Sequence, residues 1–229
     1  MTFKDFQEKI GVSFIDESLL EQAFTHRSYI NEVRGTNLEH NERLEFLGDA
    51  VLELVTTEFL YSKYPEKNEG ELTAYRASLV NTDSLAQTAQ ELGIDELLRL
   101  SRGEAKDTGR ARYYILANSV EALIGAIYLD QGYDMAKHFI EKSITPRIDQ
   151  IIEKGEWIDA KSLFQEKAQE EVGVTPTYET LKETGPDHDK NFTVGVYLAK
   201  ELIAEGEGRS KQAAEQDAAQ KGLEVKKWM

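Results

Sequence analysis

The sequence contains no cysteine and no long hydrophobic run. Without cysteine the chain can form no disulfide bond, no thiolate zinc site and no cysteine nucleophile, which is compatible with a reducing compartment. The longest apolar stretch, residues 122–129, is far too short to span a bilayer. The N-terminal residues 1–10 carry charges and lack the apolar run of a signal peptide. We therefore expect a cytoplasmic protein with no membrane partner.

The sequence also contains fewer basic than acidic residues. The 229 residues include 27 Lys and Arg against 42 Asp and Glu, which gives a formal net charge of -15. Residues 1–150 hold 16 basic against 26 acidic side chains and residues 151–229 hold 11 against 16, so both halves are acidic. Because phosphate binding is driven by Lys and Arg, any nucleic-acid surface must be a local patch.

The hydrophobic residues predict a globular chain whose first part is helical. Hydrophobic residues make up 40% of the sequence, enough for a real core in one large or two smaller domains. Up to about residue 150 the apolar residues recur at intervals of three and four, the period of an amphipathic helix. One such run is predicted to form a buried helix face: Leu44, Leu47, Val51, Leu54 and Val55.

The pattern changes after a polar stretch, which predicts a linker over residues 151–158. Asp159 can cap a helix that runs to about residue 171. Three β-like stretches follow, the clearest at residues 192–197, and a last helix begins at Ser210. Its predicted packing stripe is Ala214, Ala218, Gly222 and Val225. We therefore predict an α+β protein, with an all-α domain over residues 1–150 and an αβββα domain over residues 159–229.

Carboxylates gather on one face of the predicted helix over residues 41–52. Glu42, Glu45 and Asp49 lie at i, i+3 and i+7, within about 60° of one another. A second helix offers Asn118 and Glu121 at i and i+3. Oxygen ligands of this kind suit Mg²⁺ or Mn²⁺, and two such helices can hold one or two ions that activate water. The alternative is the solvated face of an amphipathic helix.

Five segments of the first domain together resemble the ribonuclease III family of double-strand-specific endonucleases. The segment NERLEFLGDAVL at residues 41–52 closely resembles the family signature. Four more segments continue the resemblance in order, at residues 14–29, 68–81, 101–123 and 129–133. With the C-terminal domain included, the resemblance covers nearly the whole chain.

The resemblance implies roles for individual residues. It places metal ligands at Glu45, Asp49, Asn118 and Glu121, and it makes Asp49 and Glu121 catalytic. Two further catalytic acids, Glu42 and Glu69, are implied to line a valley formed by a homodimer. Phe46 matches an aromatic residue of the dimer interface, with a plain core aromatic as the alternative. His26 also matches a family position, but we expect a structural histidine there.

Asn118 departs from the family pattern, in which this position is usually Asp. An asparagine keeps an amide oxygen that can ligate a metal ion, but it lacks a full negative charge. We therefore expect weaker metal affinity with catalysis retained.

The C-terminal segment resembles a double-stranded RNA-binding domain, a module that reads the shape of duplex RNA across its minor groove. The resemblance implies RNA contacts in three regions: Ser162, Gln165 and Glu166; His188; and Arg209, Ser210 and Lys211. Gln212 and Glu215 stand where more basic members often carry lysine, which lowers the expected electrostatic affinity. A basic stretch, Arg102, Lys106, Arg110 and Arg112, either approaches the RNA backbone or forms a solvated loop.

Taken together, the residues and the resemblance predict a homodimeric endoribonuclease that hydrolyses double-stranded RNA with Mg²⁺, or Mn²⁺ as a substitute, and no organic cofactor. The implied products are staggered ends with 5′-phosphate and 3′-hydroxyl groups, and the implied substrates are ribosomal RNA precursors and other structured RNAs. One alternative is a catalytically impaired RNA-binding protein of the same fold, which Asn118 favours. Another is a di-iron bundle, which would need Glu-x-x-His pairs that the sequence lacks.

Overall fold

A computed structural model describes residues 1–33, 38–155, 157, 159–186 and 190–228. The chain divides into two compact units, Met1–Trp157 and Ile158–Met229. Each unit has its own hydrophobic core.

The regular elements in the described part of the first unit are α-helices and short 3₁₀-helices. Its α-helices are α1 Phe3–Ile10, α2 Glu17–Ala23, α3 Arg27–Glu32, α4 Glu42–Lys63, α5 Glu69–Val80, α6 Thr82–Leu92, α7 Arg110–Gln131, α8 Tyr133–Ser143 and α9 Ile148–Lys154. The two longest, α4 and α7, pack against each other at the centre of the unit. No helix in the described part of the chain is long and apolar enough to cross a membrane.

The buried face of α4 differs in part from the predicted stripe. Leu44, Val51 and Val55 are buried as expected, but Leu54 is 58% exposed and the prediction for it is wrong. The buried face is centred on Gly48 and Leu52, where α4 meets α7. Leu54 lies about 120° from Gly48 and about 160° from Leu52 on the helix, so it points away from that contact.

The start of α4 is anchored by a buried asparagine. The Asn41 side chain donates to the carbonyl oxygen of Ala23 at 3.1 Å, and its backbone N–H donates to that of Thr25. The backbone N–H of Glu45 in turn donates to the carbonyl oxygen of Asn41. Because these bonds hold the first turn of α4 against the core, they also fix where its acidic side chains begin.

Part of the predicted linker belongs to the first unit. Residues 151–154 lie in α9, and Ile151 joins Leu60, Tyr75 and Leu79 in a small hydrophobic cluster. Trp157 packs against Tyr75 with ring centroids 4.8 Å apart. Buried hydrophobic side chains therefore tie this segment to α4 and α5, although its sequence is mostly polar.

The second unit has the predicted order αβββα. Its elements are α10 Ala160–Val172, β1 Thr177–Thr184, β2 Asn191–Leu198, β3 Glu201–Gly208 and α11 Lys211–Lys226, and the antiparallel sheet has the order β1-β2-β3. Asp159 caps α10 and Ser210 caps α11, as the sequence predicts.

The packing of α11 on the sheet confirms three of the four predicted stripe residues. Ala214, Ala218 and Gly222 are buried, but Val225 is 62% exposed and that part of the prediction is wrong. Leu223 is buried in its place, because the contact surface continues along the side of the helix that faces α10 and the sheet.

Candidate functional site

The central pair of helices brings the predicted metal ligands together. Glu45 and Asp49 lie on α4, and Asn118 and Glu121 lie on α7. The Asn118 side chain is hydrogen-bonded to the Glu45 carboxylate. Since a carboxylate can only accept, the amide NH₂ is the donor, and the Asn118 amide oxygen can serve as a ligand. The predicted oxygen ligands from two helices therefore share one region of the molecule.

The carboxyl groups of Glu45, Asp49 and Glu121 have raised pKa values. Burial, with the nearby charges of Asp49 and Glu45, raises the pKa of Glu121 to about 7. Burial also raises the pKa of Glu45 and that of Asp49, although the hydrogen bond from Asn118 acts in the opposite direction on Glu45. Half-buried like charges disfavour ionisation of one another, and a bound cation would relieve this cost.

The donor set fits a hard divalent cation by its chemistry. Carboxylate and amide oxygens are the ligands that Mg²⁺ and Mn²⁺ take in proteins. Among the described residues, no three His, Asp or Glu side chains already enclose a position for a metal ion. The cluster would therefore have to close around an ion to hold it.

Glu42 lies beside this group, between two basic side chains. Its carboxylate oxygens are 3.6 Å from the Arg27 guanidinium and 3.7 Å from Nδ1 of His40. The negative charge of Glu42 also contributes to the raised pKa of Glu45. No sequence pattern indicated Arg27 and His40 as partners of Glu42, because these contacts depend on the tertiary fold.

Glu69 is placed apart from the four predicted ligands. It is exposed at the start of α5 and lines a cavity of about 460 Å³ together with Tyr61 and Arg76. Arg76 donates to the hydroxyl of Thr57 at 2.8 Å, so it does not orient one of the clustered carboxylates. A common valley for Glu69 and the other acids stays a prediction.

Phe46 is 81% exposed, so the alternative of a plain core aromatic is wrong. It lies at the edge of a cavity of about 550 Å³ that Leu47 and Leu129 also line. Leu129 is itself 55% exposed, so two apolar side chains beside this cavity are open to solvent. The role of Phe46 in a dimer interface stays a prediction.

The remaining motifs of the first unit are mostly structural. His26 caps α3, where its Nδ1 accepts the backbone N–H of Ser28, so the expected structural role is confirmed. In the basic stretch, Arg112 is engaged by the Asp95 carboxylate and is poorly placed to bind phosphate. Arg102 is 93% exposed even though its Nε lies 3.4 Å from the Glu32 carboxylate, and Arg110 is exposed over the ring of Tyr114, so both guanidinium groups remain open to solvent.

Two of the three predicted RNA-contact regions can be described in the second unit. Gln165 and Glu166 are exposed on α10, and Ser162 donates to the Asp159 carboxylate at 2.7 Å. These three residues line one shallow groove of the helix surface. His188 lies outside the described residues.

The third region is the start of α11. Arg209 and Lys211 are exposed on either side of Ser210, whose hydroxyl accepts the backbone N–H of Ala213 at 3.1 Å. The Lys211 ammonium lies 5.8 Å from the centroid of the Phe192 ring. Two cations beside the N-terminal end of a 16-residue helix form an electropositive surface suited to phosphate.

The fold and the site together define a class of protein. A helical unit that clusters carboxylate and amide side chains, followed by an αβββα unit with an electropositive helix start, fits the class of metal-dependent nucleases that act on duplex RNA.

Comparison with known proteins identifies the family. A family model described as Ribonuclease-III-like matches residues 16–148, and the double-stranded RNA binding motif matches residues 160–226. Ribonuclease 3 of Bdellovibrio bacteriovorus is 45% identical over 97% of this chain and 95% of its own length. Ribonuclease 3 of Enterococcus faecalis is 48% identical over 96% of this chain and 95% of its own length. The chain belongs to the ribonuclease III family, which generally uses divalent metal ions.

Solved structures agree with the helical unit. Two structures of the nuclease domain of ribonuclease III from Campylobacter jejuni match it. One is 38% identical, with a TM-score of 0.56, and covers 62% of this chain and 98% of its own. The other is 36% identical, with a TM-score of 0.57, and covers 65% of this chain and 95% of its own. The first is described as flexible in a region involved in dimer formation.

Proposed function

We propose that this protein hydrolyses phosphodiester bonds in double-stranded RNA with Mg²⁺, or Mn²⁺ as a substitute, bound by Glu45, Asp49, Asn118 and Glu121. The observation that carries the proposal is the convergence of these side chains from α4 and α7, in a setting that raises the pKa of three of them. Partly buried carboxylates that lie close to one another are typical of a site that binds a cation.

When bound, divalent ions would supply the activation of a water molecule and the stabilisation of the leaving oxygen. Glu45 and Asp49 would hold the ions from α4, and Glu121 and the Asn118 amide oxygen would hold them from α7. Asp49 and Glu121 fix the geometry around the scissile phosphate. The products are a 5′-phosphate and a 3′-hydroxyl on staggered ends.

We further propose that two copies of the chain form a homodimer and that Phe46 lies in its interface. Phe46 supports this proposal because a side chain 81% exposed on the catalytic helix would lose its contact with water in such an interface. Glu42 and Glu69 then line the valley between the two nuclease domains, and each subunit cuts one strand. We assign residues 1–150 to the nuclease domain and residues 159–229 to the RNA-binding domain, although the first compact unit extends to Trp157.

The RNA-binding unit would hold the duplex by shape and charge. Ser162, Gln165 and Glu166 present hydroxyl, amide and carboxylate groups suited to 2′-hydroxyls in a minor groove. Arg209, Ser210 and Lys211 would contact phosphates, and His188 the neighbouring groove. Ribosomal RNA precursors and other structured RNAs are the expected substrates, and a cytoplasmic location stays a prediction.

Cleavage of a long perfect RNA duplex tests the function directly. We expect short staggered fragments in the presence of Mg²⁺ and intact, shifted duplex in EDTA, because binding does not need the ion whereas hydrolysis does. A single-stranded RNA of the same sequence is the control and should remain uncut. Binding without fragments at every Mg²⁺ and Mn²⁺ concentration would support the catalytically impaired alternative, which nothing in the comparisons favours.

Substitution of Lys211 by alanine should weaken duplex binding. If the ammonium contacts a phosphate, its loss lowers affinity about three- to tenfold near 0.15 M salt and reduces the salt dependence by about one ion. The measurement is a titration of labelled duplex in EDTA at several salt concentrations.

Lys200→Ala is the matched control, because Lys200 is also exposed but lies in the turn between β2 and β3. Its affinity and salt dependence should remain those of the unmodified protein. Equal losses in the two variants would mean that net charge alone, and not contact at the start of α11, determines affinity.

A further inference from the structure

The helices α4 and α7 cross with their backbones in direct contact, at one glycine from each. A Cβ atom added to Gly48 would lie 1.7 Å from the carbonyl oxygen of Glu121. A Cβ atom added to Gly125 would lie 2.2 Å from the carbonyl oxygen of Leu44. Since both obstacles are backbone atoms, neither position accepts a side chain unless the helices move apart.

The crossing lies inside the group of proposed metal ligands. Glu45 and Asp49 stand three residues before and one residue after Gly48. Glu121 stands one helical turn before Gly125, and its own carbonyl group is the backbone atom against Gly48. The separation between the ligands of α4 and those of α7 therefore depends on how closely the two helices approach at this point.

We propose that Gly48 and Gly125 are positioning residues that set the distance between the two halves of the metal site. This inference rests on the proposed function, since it assumes that a divalent ion binds between the helices. Close packing at glycine is not by itself specific: a Cβ on Gly206 in the second unit would lie 2.1 Å from a backbone nitrogen, with no proposed metal ligand on that contact. The distinguishing feature of the α4–α7 contact is that the ligands flank it.

Gly125→Ala tests the proposal, because its clash is less severe than that of Gly48→Ala. The readout is Mn²⁺ binding to the full chain without RNA, measured by calorimetry and by the metal-induced rise in unfolding temperature. We expect binding to weaken about tenfold or more with the helical circular dichroism retained. Ile127→Ala, a fully buried residue on the same helix, is the control and should bind Mn²⁺ within about twofold of the unmodified protein.

A compensating substitution separates positioning from a general loss of packing. Asp49→Glu extends the α4 ligand by one carbon–carbon bond, about 1.5 Å. In the unmodified protein it should weaken Mn²⁺ binding, whereas in the Gly125→Ala protein it should strengthen it, because the longer side chain spans the wider gap. A substitution that weakens binding in both proteins would overturn the proposal.

A second pair of variants tests the same proposal if Gly125→Ala does not fold. Glu121→Asp shortens the α7 ligand, and combined with Asp49→Glu it transfers one methylene from α7 to α4 with both glycines intact. Each single change should weaken Mn²⁺ binding about tenfold, and the pair should recover most of the loss. If the double variant bound Mn²⁺ more weakly than either single variant, the result would contradict a fixed interhelical distance.

The proposed metal site and the proposed positioning role of the glycines can be refuted separately. If the unmodified protein shows no Mn²⁺ binding at all, the proposed metal site is wrong. If it binds Mn²⁺ and Gly125→Ala binds equally well, the metal site stands and the positioning role of the glycines is refuted.

Discussion

Glu121→Gln is expected to slow cleavage of duplex RNA severely while leaving duplex binding within about twofold, because RNA contact is assigned to the second unit. Glutamine keeps the size of the side chain but removes the charge of the most strongly perturbed carboxylate in the site. We expect a fall in the single-turnover rate of about 1,000-fold, the scale associated with loss of charge stabilisation at a reacting centre. Parallel measurement of cleavage in Mg²⁺ and of gel shift in EDTA checks both parts.

The same substitution should stabilise the metal-free protein at alkaline pH. The pKa of Glu121 is about 7 in the folded chain and near 4.5 when unfolded, so the folded state holds the proton more tightly. Stability from this group is therefore present below about pH 4.5 and is lost as the pH rises through 7. At pH 8 without metal, Glu121→Gln should unfold with a free energy higher by about 1 to 2 kcal/mol, after allowance for partial exposure.

Added Mg²⁺ should reverse this order of stability. A bound ion stabilises the folded state of the unmodified protein by mass action, whereas the variant gains less because it has lost a charged ligand. Glu8→Gln, at an exposed position on α1, is the control and should match the unmodified protein in rate and stability. Unimpaired cutting by Glu121→Gln would refute the assignment of Glu121 to the site.

The sequence predicted the helical unit, the αβββα unit and the helix starts at Asp159 and Ser210, because each depends on local periodicity and capping. It failed at Leu54 and Val225, which continue an apolar stripe but are exposed. Periodicity describes one helix in isolation, and it cannot show where a neighbouring helix or sheet makes contact. The close approach at Gly48 shifts the buried face of α4, and no pattern within α4 alone contains that information.

The candidate metal site was also predicted only in part from the sequence. Spacing placed Glu45 and Asp49 on one face, but the convergence of α4 with α7 required the fold, and so did the separate position of Glu69. Charge counts were also incomplete, since ion pairs within the first unit engage several cations. Arg112 pairs with Asp95, and Arg147 pairs with Glu91 at 2.7 Å. The exposed cations at the start of α11 are therefore a larger share of the usable positive charge than composition suggests.

Asn118→Asp should lower the Mg²⁺ concentration needed for half-maximal cleavage by about tenfold or more. The change adds a negative charge to a site that already holds three carboxylates, and the affinity of oxygen-ligand sites for divalent cations rises with the number of charged ligands. The measurement is the cleavage rate across a Mg²⁺ titration, with Mn²⁺ binding by calorimetry as a second readout. Asn118→Ala is the matched control, since it removes the amide oxygen without adding charge, and it should raise the requirement.

The metal-free protein should respond to Asn118→Asp in the opposite direction. The substitution replaces an amide that donates a hydrogen bond to Glu45 with a carboxylate that repels it. We therefore expect a lower unfolding temperature in EDTA and a larger rise on addition of Mg²⁺ than in the unmodified protein. An unchanged Mg²⁺ requirement together with a lower unfolding temperature would mean that residue 118 supports Glu45 and does not ligate the ion. The alternative outcome is that Asn118→Asp has the lower unfolding temperature without Mg²⁺ and the higher one at high Mg²⁺. That result would show that Asn118 weakens the metal site of this chain and stabilises its metal-free state.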